Sequence, residues 1–254
     1  MSNKKKKILS IIFILLMIVC GGILVNEYIK ANQTPEEYKP TPSEISVEEV
    51  AKEDTEVNNF RVKLSPDVDL AAERKKHNNN DIVGRLEIPG LFNVLVVKTD
   101  NNIFYLDHSA DRKYDVRGTE FLDYRVTPTS KQVNIYGHNS RDTNVKVPFL
   151  KLEEFLKKEY FDSNPYIILQ HDGGKSLYEI KSIKEVSEKN NEHMYVTYTD
   201  EDFIEHVNKM TVDPINSRNV EVNEDSEILI LQTCSHHLKD SLYIIVAVKL
   251  DYEF

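Results

Sequence analysis

The chain has 254 residues, with 32 lysines and arginines against 42 aspartates and glutamates, a net charge of −10 and two cysteines. An acidic balance of this size argues against nucleic acid or an anionic lipid surface as a partner, since clustered positive charge holds both. Cys20 and Cys234 lie in unlike surroundings at opposite ends of the chain, so no internal disulfide framework is expected.

Taken from the N-terminus, Lys4–Lys7 precede an uncharged run, Ile8–Val25 ("ILSIIFILLMIVCGGILV"). As a helix it would span about 27 Å, enough for a thin bilayer core. Lysines before the run and none soon after it place the N-terminus in the cytoplasm and the remainder outside. The run is long for a cleaved signal peptide, and Val19 suits a lipoprotein cleavage site poorly, so an uncleaved anchor is the preferred expectation. Outside residues 1–25, 28 basic residues face all 42 acidic ones, a net charge of −14 for the expected external part. Ala31–Asn59 is acidic, contains prolines and is poor in large apolar residues, as a stalk would be. The expected organisation is a cytoplasmic tip and membrane anchor over 1–30, an acidic linker over 31–66 and an extracellular domain over 67–254.

Asp67–Lys76 ("DVDLAAERKK") predicts a short helix stopped by Asn78–Asn80. From Asp81 the pattern changes to period two, with strands predicted in "IVGRLEIPG", "NVLVVKT", "NIFYLDH", "GTEFLDYRV" and "KQVNIYGHNS". Val147–Phe161 has helical spacing in Phe149, Leu150, Leu152, Phe155, Leu156 and Tyr160. Strands follow in "PYIILQH" and "SLYEIKSIKEV", then a helix from Thr199 or Asp200 to Met210. "SEILILQTC" and "LYIIVAVKL" close the chain as near-continuous apolar runs. About eight strands with two or three helices and no βαβ rhythm predict a mainly β fold, a closed eight-stranded barrel with peripheral helices.

Cys234 ends one of those strands. An unpaired cysteine in an exported domain is either a reactive thiol or a small buried hydrophobe, and composition does not choose between them. As a nucleophile it needs a base, because the thiolate attacks and the free thiol is mostly protonated at neutral pH. His236 and His237 are near in sequence but sit in a polar turn, and three ligands within four residues suit tetrahedral zinc poorly. His138, in "NIYGHNS", ends another strand, where a rigid barrel could hold it against Cys234; capping a turn is its plainer role.

"YGHNS" at Tyr136–Ser140, "LQTC" at Leu231–Cys234 and "YIIVAVKL" at Tyr243–Leu250 resemble the signature segments of sortases, the cysteine transpeptidases of Gram-positive cell envelopes. "VGRLEIPG", "FLDYR" and the helix before the cysteine strand point to class B, and the resemblance runs from about Asp81 to Leu250. It implies that Cys234 attacks a threonine carbonyl in the C-terminal sorting motif of an exported protein. An amine from peptidoglycan or its lipid-linked precursor would then resolve the thioester. His138 would act as acid and base, with Asn139 and Thr233 supporting the site and no cofactor, metal or nucleic acid involved.

One element of the resemblance is missing. The family carries an arginine near the start of the last strand, and this chain has none there. Counting back from Lys249 puts Tyr243 in that position, whereas counting forward from Cys234 gives Leu242; Tyr243 is preferred as a replacement donor. A distant arginine such as Arg125 or Arg141 is the second option, although Arg125 could equally form a structural salt bridge. The third is a catalytically weak domain that binds a sorting peptide or an envelope partner. A cysteine endopeptidase, releasing the substrate to water, differs from a transpeptidase only in its acceptor.

Overall fold

The computed structural model describes residues 55–57, 60–62 and 65–254, except 141, 143–144, 191 and 197–199. The expected anchor and most of the stalk therefore lie outside the described residues, as does Arg141. Among the described residues no helix is long and apolar enough to cross a membrane.

Two short strands, β1 (Thr55–Val57) and β2 (Phe60–Val62), form a hairpin ahead of the main body. Helix α1 (Leu70–His77) starts where Asp69 accepts a hydrogen bond from the Ala72 backbone N–H, at 3.0 Å. It stops at Asn78, which adopts a left-handed conformation (φ 47°), as asparagine tolerates at a helix end.

The strands that follow are β3 (Ile82–Ile88), β4 (Phe92–Val97), β5 (Phe121–Leu122), β6 (Gln132–Tyr136), β7 (Tyr166–His171), β8 (Gly174–Ser187), β9 (Asn216–Ser217), β10 (Ile228–Ser235) and β11 (Ser241–Lys249). Their order is β11-β10-β6-β5-β4-β3-β7-β8, and a β11–β8 pairing closes the ring. That makes an eight-stranded barrel, with β9 a short addition beside β8. Leu86, Val94, Leu122, Val133, Ile135, Leu169, Leu229, Leu231, Ile245 and Ala247 fill its interior. Burial on both faces explains why β10 and β11 read as near-continuous apolar runs rather than alternating ones.

A second apolar layer lies outside the barrel. Ile228 and Ile230 of β10 and Leu242, Ile244, Val246 and Val248 of β11 pack against Phe203, Val207 and Met210 of α3 (Asp200–Thr211).

Three segments differ from their sequence expectations. "NIFYLDH" is not a strand but a 3-10 turn at Phe104–Leu106 within a long loop. Asn101 Oδ1 accepts from the N–H groups of both Ile103 and Phe104 at 2.9 Å, folding the backbone locally before it can join a ladder. In "GTEFLDYRV" only Phe121–Leu122 pairs. Val147–Phe161 is helical, but as a 3-10 segment (Pro148–Leu156) that breaks at Lys157 before α2 (Lys158–Ser163).

Candidate active site

The site is set by the one parallel contact between the two strands that carry the signature residues. Strand β6 pairs with β10 in parallel, with Asn134 opposite Ile230 and Tyr136 opposite Gln232. The Gly137 N–H donates to the Gln232 carbonyl at 3.1 Å, and Thr233 Oγ1 donates to the Gly137 carbonyl at 2.9 Å, so the strands stay together beyond the ladder. Continuing that register sets His138 opposite Cys234 on neighbouring strands, which lie roughly 4.8 Å apart in a sheet. On β10 the Cys234 side chain shares the outer face of the barrel with Ile230 and Gln232, and His138 follows two residues after the end of β6. Asn139, itself buried, donates from Nδ2 to the Cys234 carbonyl (3.0 Å) and to Glu153 (2.7 Å), tying the loop after His138 to the cysteine strand.

The imidazole is held from its other side. His138 Nε2 lies 2.5 Å from the Leu106 carbonyl oxygen. A carbonyl can only accept, so Nε2 carries the proton and Nδ1 is left with its lone pair. Leu106 is fixed by its neighbour Tyr105, a buried ring whose hydroxyl donates to Asp81 (2.7 Å) and receives Asn79 Nδ2 (2.8 Å). Gly118, at φ +63°, approaches the same place. A Cβ there would lie 2.5 Å from the Tyr105 carbonyl oxygen and 3.0 Å from His138 Cδ2. Gly137 is needed for a similar reason, since a Cβ on it would lie 2.6 Å from the Phe149 ring.

Cys234 is half-buried, on the margin of the outer apolar layer rather than sealed within it. Burial pushes its thiol above the usual range, and the nearby Glu188 carboxylate adds to the shift. Both effects favour the neutral thiol at rest.

The two positions counted for the missing arginine, Tyr243 and Leu242, lie on opposite faces of β11. Strand β11 runs antiparallel to β10 with Cys234 opposite Leu242 and Thr233 opposite Tyr243. Residues directly opposite share a face, so Leu242 stands beside the sulfur while Tyr243 points to the other side. There Tyr243 is buried, with Ser235 as a hydrogen-bond partner and Glu185 across on β8.

Arg125 is committed elsewhere. It grips Asp123 through Nε (2.8 Å) and a terminal nitrogen (2.6 Å), and the same nitrogen donates to the Met194 carbonyl at 2.8 Å. Strand β5 is antiparallel to β6, pairing Phe121 with Tyr136 and Leu122 with Ile135, so each later residue is farther from His138. Asp123 also accepts from Tyr136 (2.7 Å) and Asn102 (3.0 Å), which makes it a structural anion. His237 turns away to Glu185, at 3.2 Å.

Sequence reasoning passed over the Leu106 carbonyl, Gly118 and Glu153. Each reaches the site only through tertiary contact, and only the glycine left a hint, because glycine is the residue a left-handed position favours.

No protein-family model matches the chain. It is 22% identical over 244 residues to sortase B of Staphylococcus aureus, covering 95% of this chain and 94% of that protein. It is 29% identical over 162 residues to sortase B of Listeria monocytogenes, covering 61% and 63% respectively. Among solved structures, sortase B of Clostridium perfringens superposes with a TM-score of 0.65 at 24% identity, covering 71% of this chain and 99% of that one. A Staphylococcus aureus sortase B–substrate complex superposes with a TM-score of 0.65 at 22% identity, covering 72% and 85%.

Proposed function

This chain is a class B-like sortase, and from that premise we propose that it cleaves the C-terminal sorting motif of exported proteins through a Cys234 thioester and transfers it to a cell-wall amine. The observation that supports the proposal is the parallel β6–β10 register, which, continued two residues past Tyr136 and Gln232, would bring His138 opposite Cys234.

The chemistry follows from that pair. Cys234 Sγ adds to the carbonyl carbon of the scissile threonine as its thiol proton passes to His138 Nδ1. The tetrahedral adduct collapses to a thioester, and Nδ1 returns the proton to the departing amine. The acceptor amine then adds to the thioester, loses a proton to Nδ1 and expels the thiolate, which recovers the proton. Throughout, the Leu106 carbonyl accepts from Nε2, so the imidazolium forms without a ring flip. The raised thiol pKa means that few molecules hold a thiolate at neutral pH, which predicts a modest rate.

Leu242, an apolar residue, lies opposite Cys234, and in this reading it takes the place of the guanidinium that would steady the oxyanion, a second limit on rate. Losing one such donor typically costs about 10²–10³ in rate. Transpeptidation accounts for a cysteine and a histidine in these signature segments better than a pure binding module does, because binding needs neither the sulfur nor the imidazole.

The setting proposed for this activity is the outer face of the cell membrane, with residues 1–30 as the anchor and the acidic linker as a spacer. The donors are exported proteins bearing a sorting motif, and the acceptor is peptidoglycan or its lipid-linked precursor. Loss of the intact protein from cells treated with external protease, with cytoplasmic markers spared, checks the orientation.

The central test incubates the full chain with candidate sorting peptides and triglycine or diaminopimelate. Mass spectrometry should find a peptide thioester that Cys234→Ala and His138→Ala both abolish, and an amide-linked product with the amine. Peptide binding without a thioester would leave only the binding module; hydrolysed peptide alone would make it an endopeptidase.

A further inference from the structure

Two residues before Cys234, on the same outer face, Gln232 lies between the catalytic pair and a polar cluster that neither the fold nor the proposed reaction accounts for. The connection between β8 and α3 crosses this face as a 3-10 turn at Glu192–Met194. His193, 2% exposed, is its anchor. The His193 carbonyl accepts from Gln132 Nε2 (3.0 Å) and Asn134 Nδ2 (2.8 Å), both on β6. His206 of α3 donates to Gln132 Oε1 at 2.7 Å, and the Met194 carbonyl takes the Arg125 guanidinium. The turn is thus pinned from three sides.

The His193 side chain uses this rigidity on one target. Its Nε2 lies 2.7 Å from Gln232 Oε1, and a carboxamide oxygen only accepts, so Nε2–H donates. Burial keeps this imidazole neutral. With its oxygen engaged, the Gln232 amide cannot rotate freely, and its NH₂ has no hydrogen-bond partner among the described residues on a side chain that is only half-buried. Leaving a polar side chain's donor end open on the floor beside a nucleophile has no role in stability. It would suit a peptide acceptor.

We infer that Gln232 is a substrate-reading residue, a donor held by His193 for a carbonyl oxygen of the bound peptide just N-terminal to the scissile bond. Two strand positions separate Gln232 from Cys234, about 6.6 Å, and an extended peptide advances at the same rise, so the oxygen belongs one or two residues before the threonine. His193 is a positioning residue: it touches no substrate and acts by fixing which end of the Gln232 amide faces the groove. This rests on the sortase reading for the orientation of the peptide, but not on turnover.

The test reads binding and turnover separately. A fluorescent positional library of pentapeptides with threonine fixed at the fourth position is titrated, by anisotropy, into the full-length chain carrying Cys234→Ala. The same background then receives Gln232→Met, which keeps the length and removes the donor; Gln232→Glu, which keeps the His193 contact but offers an acceptor; or His193→Phe, which frees the amide. The bound members should weaken about tenfold with methionine, more with glutamate, whose charge repels a carbonyl, and several-fold with phenylalanine. In the Cys234-intact protein the same changes should raise KM and leave kcat within about twofold.

Unchanged affinity in Gln232→Met, or a Gln232→Glu protein that binds as tightly as its parent, would overturn the inference. So would a fall in kcat at constant KM, the mark of a distorted Cys–His pair. A Cys234-intact chain that forms no thioester, while its Cys234→Ala form binds the library, refutes transpeptidation alone, whereas binding of no member of the library refutes both.

Discussion

The placement of His138 depends on a small residue as much as on its own chemistry. Gly118 leaves room for the His138 ring at a left-handed backbone position that side chains rarely adopt. Replacing it with alanine should displace the imidazole, and misplacement on the ångström scale costs on the order of 10²-fold in rate. Steady-state kinetics of Gly118→Ala, with a thermal melt to separate local from global damage, checks this; unchanged kcat/KM would mean that the ring does not depend on that wall. Leu242 offers the opposite experiment. Since it faces Cys234 across the strand pair, Leu242→Arg should raise the rate of thioester formation by about tenfold or more, the direction expected for a restored oxyanion donor. Tyr243→Arg, on the other face, should not. Peptide-adduct rates by mass spectrometry compare the two directly. Sequence counting could not choose between Leu242 and Tyr243 because loop length shifts the count by one, and in a strand one residue reverses the face.

At the scale of elements, the buried Asp123 carboxylate holds the arginine, Arg125, that reaches from the β5–β6 corner to the β8–α3 connection. Asp123 is fully buried on its own strand end, yet Arg125, Tyr136 and Asn102 donate to it. Burial pushes its carboxyl up, but the Arg125 hydrogen bonds outweigh that and hold it down at about 2. A depressed carboxyl contributes stability that is present above its unfolded pKa of about 4 and is lost as the pH falls through about 2. Arg125→Ala should therefore lower stability at neutral pH by about 1–3 kcal/mol, by leaving that carboxylate short of its donors. It should also flatten the acid limb of stability below pH 4. Denaturant melts across pH 2–7 test both, and a variant with the parent's acid limb would refute the assignment. "FLDYR" was legible as a motif, but its sequence alone left Arg125 open between catalysis and structure. The partner that decided it, the Met194 carbonyl, is 69 positions away.

Over the whole molecule, closure of the barrel depends on β11, which is buried along its length and pairs with β10 on one side and β8 on the other. A chain ending at Lys239 would expose both neighbours' edges and open the interior. It is expected to lose its cooperative thermal transition by circular dichroism; a retained sharp transition would show that the barrel closes without its last strand. Period-two and apolar runs were enough to foresee a mainly β barrel, because burial leaves its pattern residue by residue along a strand. The loop at "NIFYLDH" was misread because Asn101 folds it through a local hydrogen bond that hydrophobic spacing does not record. The sequence by itself determined which groups are proposed to react, since a thiol, an imidazole and their flanking Gly–His–Asn and Thr–Cys patterns are local chemistry. Tertiary structure alone decided which nitrogen of His138 is free, which side chain stands across from the sulfur and what holds Gln232. Those depend on register and on contacts between segments 32 to 96 residues apart, where a shift of one residue changes the face and hence the answer.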